Sequence, residues 1–202
     1  MEREWEHVGF GAFIVCYGND VEDGQTRMLI MKRGACFKEK GKDGYGVPGG
    51  HIDLDKGYEQ PADAAARELG EEVIDDQGQA VLGVVAPERL QLIDCGVDYL
   101  VGRPGTLHAG CGWAGFRCEL TNDEIAKLKA YEKRMHGDAA YLERVREASN
   151  QELGNIHLVT PAEVVKNIET GIYDFSYAHE QKWALQVAKD LLAVKVKLHA
   201  TG

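Results

Sequence analysis

The sequence predicts an α+β layered sandwich, and three observations predict it. Short apolar runs of strand length fill the chain before Thr121, one early helix with separate polar and apolar faces interrupts them, and helical spacing dominates afterwards. A chain of 202 residues with 44% hydrophobic content can bury a sizeable core, and no linker, internal repeat or low-complexity tract divides it. Residues 1–202 therefore read as one domain.

Val8 to Tyr17 and Arg27 to Lys32 read as the first strands, the second a buried run, Met28-Leu29-Ile30-Met31, that ends in the cations Lys32 and Arg33. Tyr45-Gly46-Val47-Pro48-Gly49-Gly50 is a turn-rich passage. The early helix starts at Pro61, where a missing N–H costs nothing, and runs to about Val73. At roughly 100° per residue, Ala62, Ala65, Ala66, Leu69 and Val73 share one stripe, and Glu68, Glu71 and Glu72 share another. Strands are expected near Ala80 to Ala86, Gln91 to Ile93, Tyr99 to Val101 and Gly112 to Leu120. Thr121 or Asn122 caps a charged helical stretch that continues in pieces to about Ala148. A short strand at Ile156 to Val159 leads into the Thr160-Pro161 start of a helix ending near Ile168. In the last helix, about Tyr177 to Leu198, Trp183, Val187, Leu191 and Val194 recur at three- and four-residue spacing, which marks core or a homodimer surface.

The net charge of -10 argues against a broad nucleic-acid or anionic-membrane surface. No signal-peptide pattern opens the chain and no apolar run approaches about 18 residues, so a soluble, cytoplasmic protein is expected, with no membrane partner. Five cysteines (Cys16, Cys36, Cys95, Cys111, Cys118) are an odd number without a CxxC pair and read as reduced structural thiols. The glutamate stripe carries chemistry. Like charges three and four residues apart cost a helix a few tenths of a kcal/mol per pair, a cost that a bound cation removes. Oxygen-only donors favour Mg2+ or Mn2+ over zinc.

The pattern extends beyond the stripe. Glu59, seven residues, then Arg67-Glu68-Leu69-Gly70-Glu71-Glu72, set behind Tyr45 to Gly50, resembles the signature box of the Nudix hydrolases. The resemblance covers the box and its flanks. It departs at two places: eight residues rather than five separate Gly50 from Glu59, which implies an insertion around Leu54 to Lys56, and Ile74-Asp75 implies an altered helix exit finished near Gly78. The resemblance implies an α/β/α sandwich with a mixed β-sheet, here with an inserted helical segment near 121–148 and a C-terminal helix. It further implies Glu71 and Glu72 as principal metal ligands, Glu68 as a third, the Gly50 carbonyl as another, and Arg67 with Glu59 as the groups that orient them. Helix geometry independently puts Arg67 within reach of Glu71, four residues on. A loop glutamate serves many relatives as base or extra ligand, and Glu152 is the first candidate here, Glu147 the second; Arg33 and His51 are the candidates for phosphate contact.

The activity so implied is metal-dependent hydrolysis of the diphosphate bridge in a nucleoside diphosphate linked to another group. ADP-ribose or a nucleotide sugar is favoured over damaged nucleoside triphosphates, because the segment from Thr121 to Ala148 could enlarge the pocket wall. Two readings of other classes stand beside it. A non-catalytic nucleotide-binding regulator would not need Glu68, Glu71 and Glu72 intact, and a prenyl diphosphate isomerase would rearrange its substrate without releasing a phosphate product.

Overall fold

The computed structural model describes residues 10–38, 44–53, 59–99 and 110–200. Its strands are β1 (Phe10–Asp20), β2 (Gln25–Arg33), β3 (Tyr45–Gly46), β4 (Gly49–His51), β5 (Gln91–Tyr99), β6 (Gly110–Leu120) and β7 (Leu153–Val159). The helices are α1 (Ala35–Lys38), α2 (Pro61–Glu72), α3 (Asn122–Gly137), α4 (Ala139–Ala148), α5 (Pro161–Glu169) and α6 (Ala178–Ala200), with a 3-10 turn at Pro87–Arg89.

The sheet is mixed, since β1 pairs parallel with β6 while the other strand pairs are antiparallel. Alternation along the central strands builds a core on each face. Ala12, Ile14 and Cys16 of β1 with Leu29 and Met31 of β2 meet Ala64, Ala65 and Leu69 of α2 and Ile125, Leu128 and Tyr131 of α3. Phe13, Val15, Met28 and Ile30 point the other way, onto Val164 and Ile168 of α5 and Trp183 and Val187 of α6. A sheet buried on both faces gives the expected α/β/α layering.

One local feature positions the site. β1 and β2 form a hairpin at Tyr17↔Met28 to Asp20↔Gln25 and then diverge. Gly11 pairs with both His51 and Trp113, and Met31 with both Gly46 and Ile156, so β3 and β4 lie in the gap between the diverging strands. Ile14 donates its N–H to the Pro48 carbonyl at 2.9 Å across that gap.

Several expectations require correction. Ala80 to Ala86 is not a strand: Gly78 and Gly83 take φ of +73° and +68°, and the segment turns back with a single bridge, Ile74↔Ala80, while Leu82 and Val85 pack on the core. Gln91 to Ile93 and Tyr99 belong to one continuous strand, β5, paired along β6, and Val101 lies outside the described residues. On α2 it is Ala64 rather than Ala66 that is buried. Of the last helix's stripe, Trp183 and Val187 are core, whereas Val194 is 57% exposed. The insertion expected around Leu54 to Lys56 lies outside the described residues. The helix exit does finish at Gly78, where the Asp75 carboxylate accepts from the Gln77 and Gln79 N–H groups. Among the described residues no helix is long and apolar enough to cross a membrane, and Cys16, Cys36, Cys95 and Cys118 form no disulfide.

Candidate active site

The site is assembled where α2 crosses the β3–β4 insert. Burial of Ala64, Ala65, Leu69 and Val73 fixes the rotation of α2 about its axis and turns Arg67, Glu68, Glu71 and Glu72 toward β4. The backbone meets them closely. A Cβ on Gly49 would stand 2.5 Å from the Ala12 carbonyl oxygen, which only glycine admits, and one on Gly50 would fall 2.3 Å from Glu68 Oε2 and displace that carboxylate. Gly49 donates its N–H to Glu72 Oε2 at 2.7 Å.

Arg67 is the hub. Its Nε reaches Glu59 Oε1 at 2.8 Å, its Nη1 reaches both Glu68 Oε1 and Glu71 Oε2 at 2.8 Å, and its Nη2 donates to the His51 carbonyl at 2.8 Å. Glu59 is held in turn by the Asp53 N–H at 2.7 Å. The guanidinium keeps the Glu59 carboxyl below its ordinary value, chiefly by direct hydrogen bonding. Burial raises Glu68, against the opposing charge of Arg67, and pushes Glu72 up to about 8, against the Gly49 N–H and the charge of Arg33.

Glu152 follows an unusual turn. Asn150 and Gln151 are both left-handed, with φ of +51° and +64°, a conformation that side chains with a Cβ seldom take in succession. The turn is pinned by Gly34, which donates its N–H to the Glu152 carbonyl at 2.7 Å and whose Cβ, were there one, would fall 2.0 Å from the Gln151 carbonyl oxygen. The exposed Glu152 carboxylate acts electrostatically on Glu68. Glu147 sits in the last turn of α4 and is exposed.

The structure thus gathers Gly50, Glu59, Arg67, Glu68, Glu71 and Glu72, with Glu152 in electrostatic range of Glu68. The two expected phosphate contacts fare differently. Arg33 is 8% exposed and joined to Glu180 of α6 by Nη2–Oε1 at 2.8 Å, and His51 offers its carbonyl to Arg67 while its side chain is exposed. Glu180, fully buried, with Oε2 near the Val47 N–H at 3.4 Å, was not singled out from the sequence. A signal existed. Glu180 lies three and seven residues before Trp183 and Val187, on the buried stripe of α6, where an ionisable residue needs a partner. Burial raises its carboxyl, and Arg33 opposes that rise.

The donors are carboxylate and carbonyl oxygens, and two of the carboxyls are raised by desolvation that a nearby positive charge would relieve. That set fits a hard divalent cation.

A family profile described as NUDIX domain matches residues 10–95. No curated protein matches the chain. Among solved structures, a NUDIX hydrolase from Alicyclobacillus acidocaldarius superposes with a TM-score of 0.55 at 16% identity, covering 93% of this chain and 92% of that one. A mutT/nudix family protein from Listeria innocua gives 0.52 at 19% identity, over 98% and 100%. The NUDIX domain of Shewanella oneidensis NrtR, complexed with ADP ribose, gives 0.52 at 13% identity, over 93% and 90%. At these identities the likeness is one of fold.

Proposed function

We propose that this chain, whose residues 10–95 match the NUDIX domain profile, is a Nudix-type pyrophosphohydrolase that cleaves the diphosphate bridge of a nucleoside diphosphate linked to another group, with ADP-ribose or a nucleotide sugar the favoured substrate. The observation that carries this is the single guanidinium of Arg67 gathering Glu59, Glu68, Glu71 and the His51 carbonyl at the Gly49–Gly50 approach. Glu68, Glu71, Glu72 and the Gly50 carbonyl would hold Mg2+ or Mn2+, which when bound neutralises the bridge and activates water.

The chain's own residues do the rest. Arg67 fixes two carboxylates and a β4 carbonyl in one plane of hydrogen bonds, so their oxygens do not scatter under mutual repulsion. Glu152 takes the proton as a water oxygen bonds to phosphorus and the bond from that phosphorus to the bridging oxygen breaks; the electron pair leaves on the departing phosphate. Arg33, buried at the end of β2, brings its charge to bear on Glu72 while Glu180 holds it. The ADP ribose held by the NrtR domain makes that compound the first to test. The acidic chain with an odd cysteine count suits a cytoplasmic setting.

The test is a panel of ADP-ribose, nucleotide sugars, nucleoside triphosphates and a prenyl diphosphate, each with Mg2+ and Mn2+, read by product chromatography. Release of AMP from ADP-ribose supports the reading, and release of pyrophosphate from triphosphates moves the substrate to the house-cleaning class. Rearrangement without a phosphate product, or binding without turnover, overturns the hydrolase.

A further inference from the structure

A second group of ligand-bearing side chains stands outside the carboxylate cleft. Glu132 and His136 lie one helical turn apart near the end of α3, and His157 faces them from β7. One donor atom from each lies within 4.8 Å of the other two. Ligands on one tetrahedral ion stand about 3.3–3.8 Å apart, so small side-chain rotations suffice to close the trio on a common centre. None of the three belongs to the Gly49–Glu72 motif.

The neighbourhood prepares these groups as ligands. Glu132 Oε1 accepts the Leu158 N–H at 2.9 Å, which orients the carboxylate and leaves its second oxygen available. The two imidazoles are 5.6 Å apart between centroids, with their planes at 47°. Glu132 and His157 are half-buried, and burial holds the His157 imidazole toward its neutral form, the form that binds metal. His136 is exposed, which leaves one side of the centre open to solvent. The cations acting on the trio are Lys32, which bears on His157 and whose Nζ lies 4.8 Å over the Tyr45 ring, and Arg27, which bears on Glu132.

We propose that Glu132, His136 and His157 form a transition-metal site of the zinc class that clips the C-terminal turns of α3 to β7. Two imidazole nitrogens and one carboxylate oxygen suit Zn2+, Co2+ or Ni2+ and are a poor set for Mg2+, which separates this site chemically from the oxygen-only cleft. The site ties the helical segment after Thr121 to the strand that begins just past Glu152.

The experiment uses the full chain stripped with chelator and carrying Glu68→Gln, Glu71→Gln and Glu72→Gln, so that the cleft does not report. Co2+ is titrated and followed by its visible absorption, and Zn2+ by calorimetry and by the thermal midpoint. The expected result is one equivalent of either ion and a raised midpoint. His136→Gln, at an exposed position that leaves the core intact, should weaken binding by more than about 100-fold, beyond what loss of an outer partner of a ligand costs. His157→Gln should do the same. Absence of Co2+ and Zn2+ binding in the triple variant overturns the site, and so does undiminished binding in the His136 variant.

Discussion

Arg67 concentrates the electrostatics of the cleft in one side chain, because a planar guanidinium can serve three carboxylates and a carbonyl at once whereas an ammonium cannot hold that fork. Arg67→Lys should lower kcat/KM by roughly 100-fold, the scale of an ångström's displacement of reacting groups. Steady-state kinetics beside circular dichroism checks it, and a near wild-type rate in the folded variant would show that the fork is dispensable. Glu152→Gln should lower kcat by about 10²- to 10⁴-fold with little change in KM, the range for a positioned proton acceptor, while Glu147→Gln leaves both nearly unchanged. A large defect in the Glu147 variant alone would move the proton acceptor there. At this scale the sequence was legible wherever spacing on one helix decided contact, as for Arg67 and Glu71. It was not legible for Arg33 and Glu180, separated by 147 positions, because no local pattern reports a partner so distant along the chain.

Elements were legible where capping chemistry is strong. Thr121 and Glu124 close a reciprocal capping box at the start of α3, and Thr160 and Glu163 do so for α5, so both helix starts stand where the sequence puts them. The stretch from Ala80 to Ala86 misled because its apolar residues pack without pairing, turned by glycines whose backbone conformation composition alone does not fix. Glu124 also pairs with Arg89 through two contacts of 2.7 Å, and these hold its carboxyl down to about 2 from an ordinary value of 4.5. A lowered folded value means the stabilisation is fully present above pH 4.5 and is lost as pH falls toward 2. Glu124→Gln should therefore cost about 1–2 kcal/mol at neutral pH and flatten the acid limb of stability between those limits. Urea melts from pH 2 to 7 measure it, and an unchanged acid limb would assign the acid sensitivity elsewhere.

Across the whole molecule, α2 shares one core with α3 and α4, on the face of the sheet opposite α5 and α6. Ala64 and Leu69 belong to the same buried cluster as Ile125, Leu128, Tyr141 and Val145. We therefore expect one cooperative thermal transition, and Leu128→Ala should destabilise it by about 2–5 kcal/mol without splitting it. Calorimetry that resolved two transitions would divide the chain into two units. Mg2+ at about 100 times its dissociation constant should raise the midpoint by roughly 5–10 °C through mass action. Substituting Gln at Glu68, Glu71 and Glu72 together should remove that rise, and a rise that persisted would place the ion elsewhere. The layering was legible from alternation and helix stripes, but the β3–β4 insert was not, since two- and three-residue strands carry no periodicity of their own.

The ion pair between Arg33 and Glu180 sets a limit on how the protein can be shortened. The stretch that a family profile matches ends at residue 95, yet the carboxylate that neutralises Arg33, and comes within 3.4 Å of the Val47 N–H beside the glycine approach, arrives only in the first turn of α6. A version trimmed to the matched stretch would also strip β1 and the remnant of β5 of β6, and β2 of β7, leaving raw strand edges and an uncompensated guanidinium in the apolar interior. The recognisable motif is thus no portable module: its candidate site is finished from the far end of the chain, and grafting or subcloning it means carrying the sequence through α6.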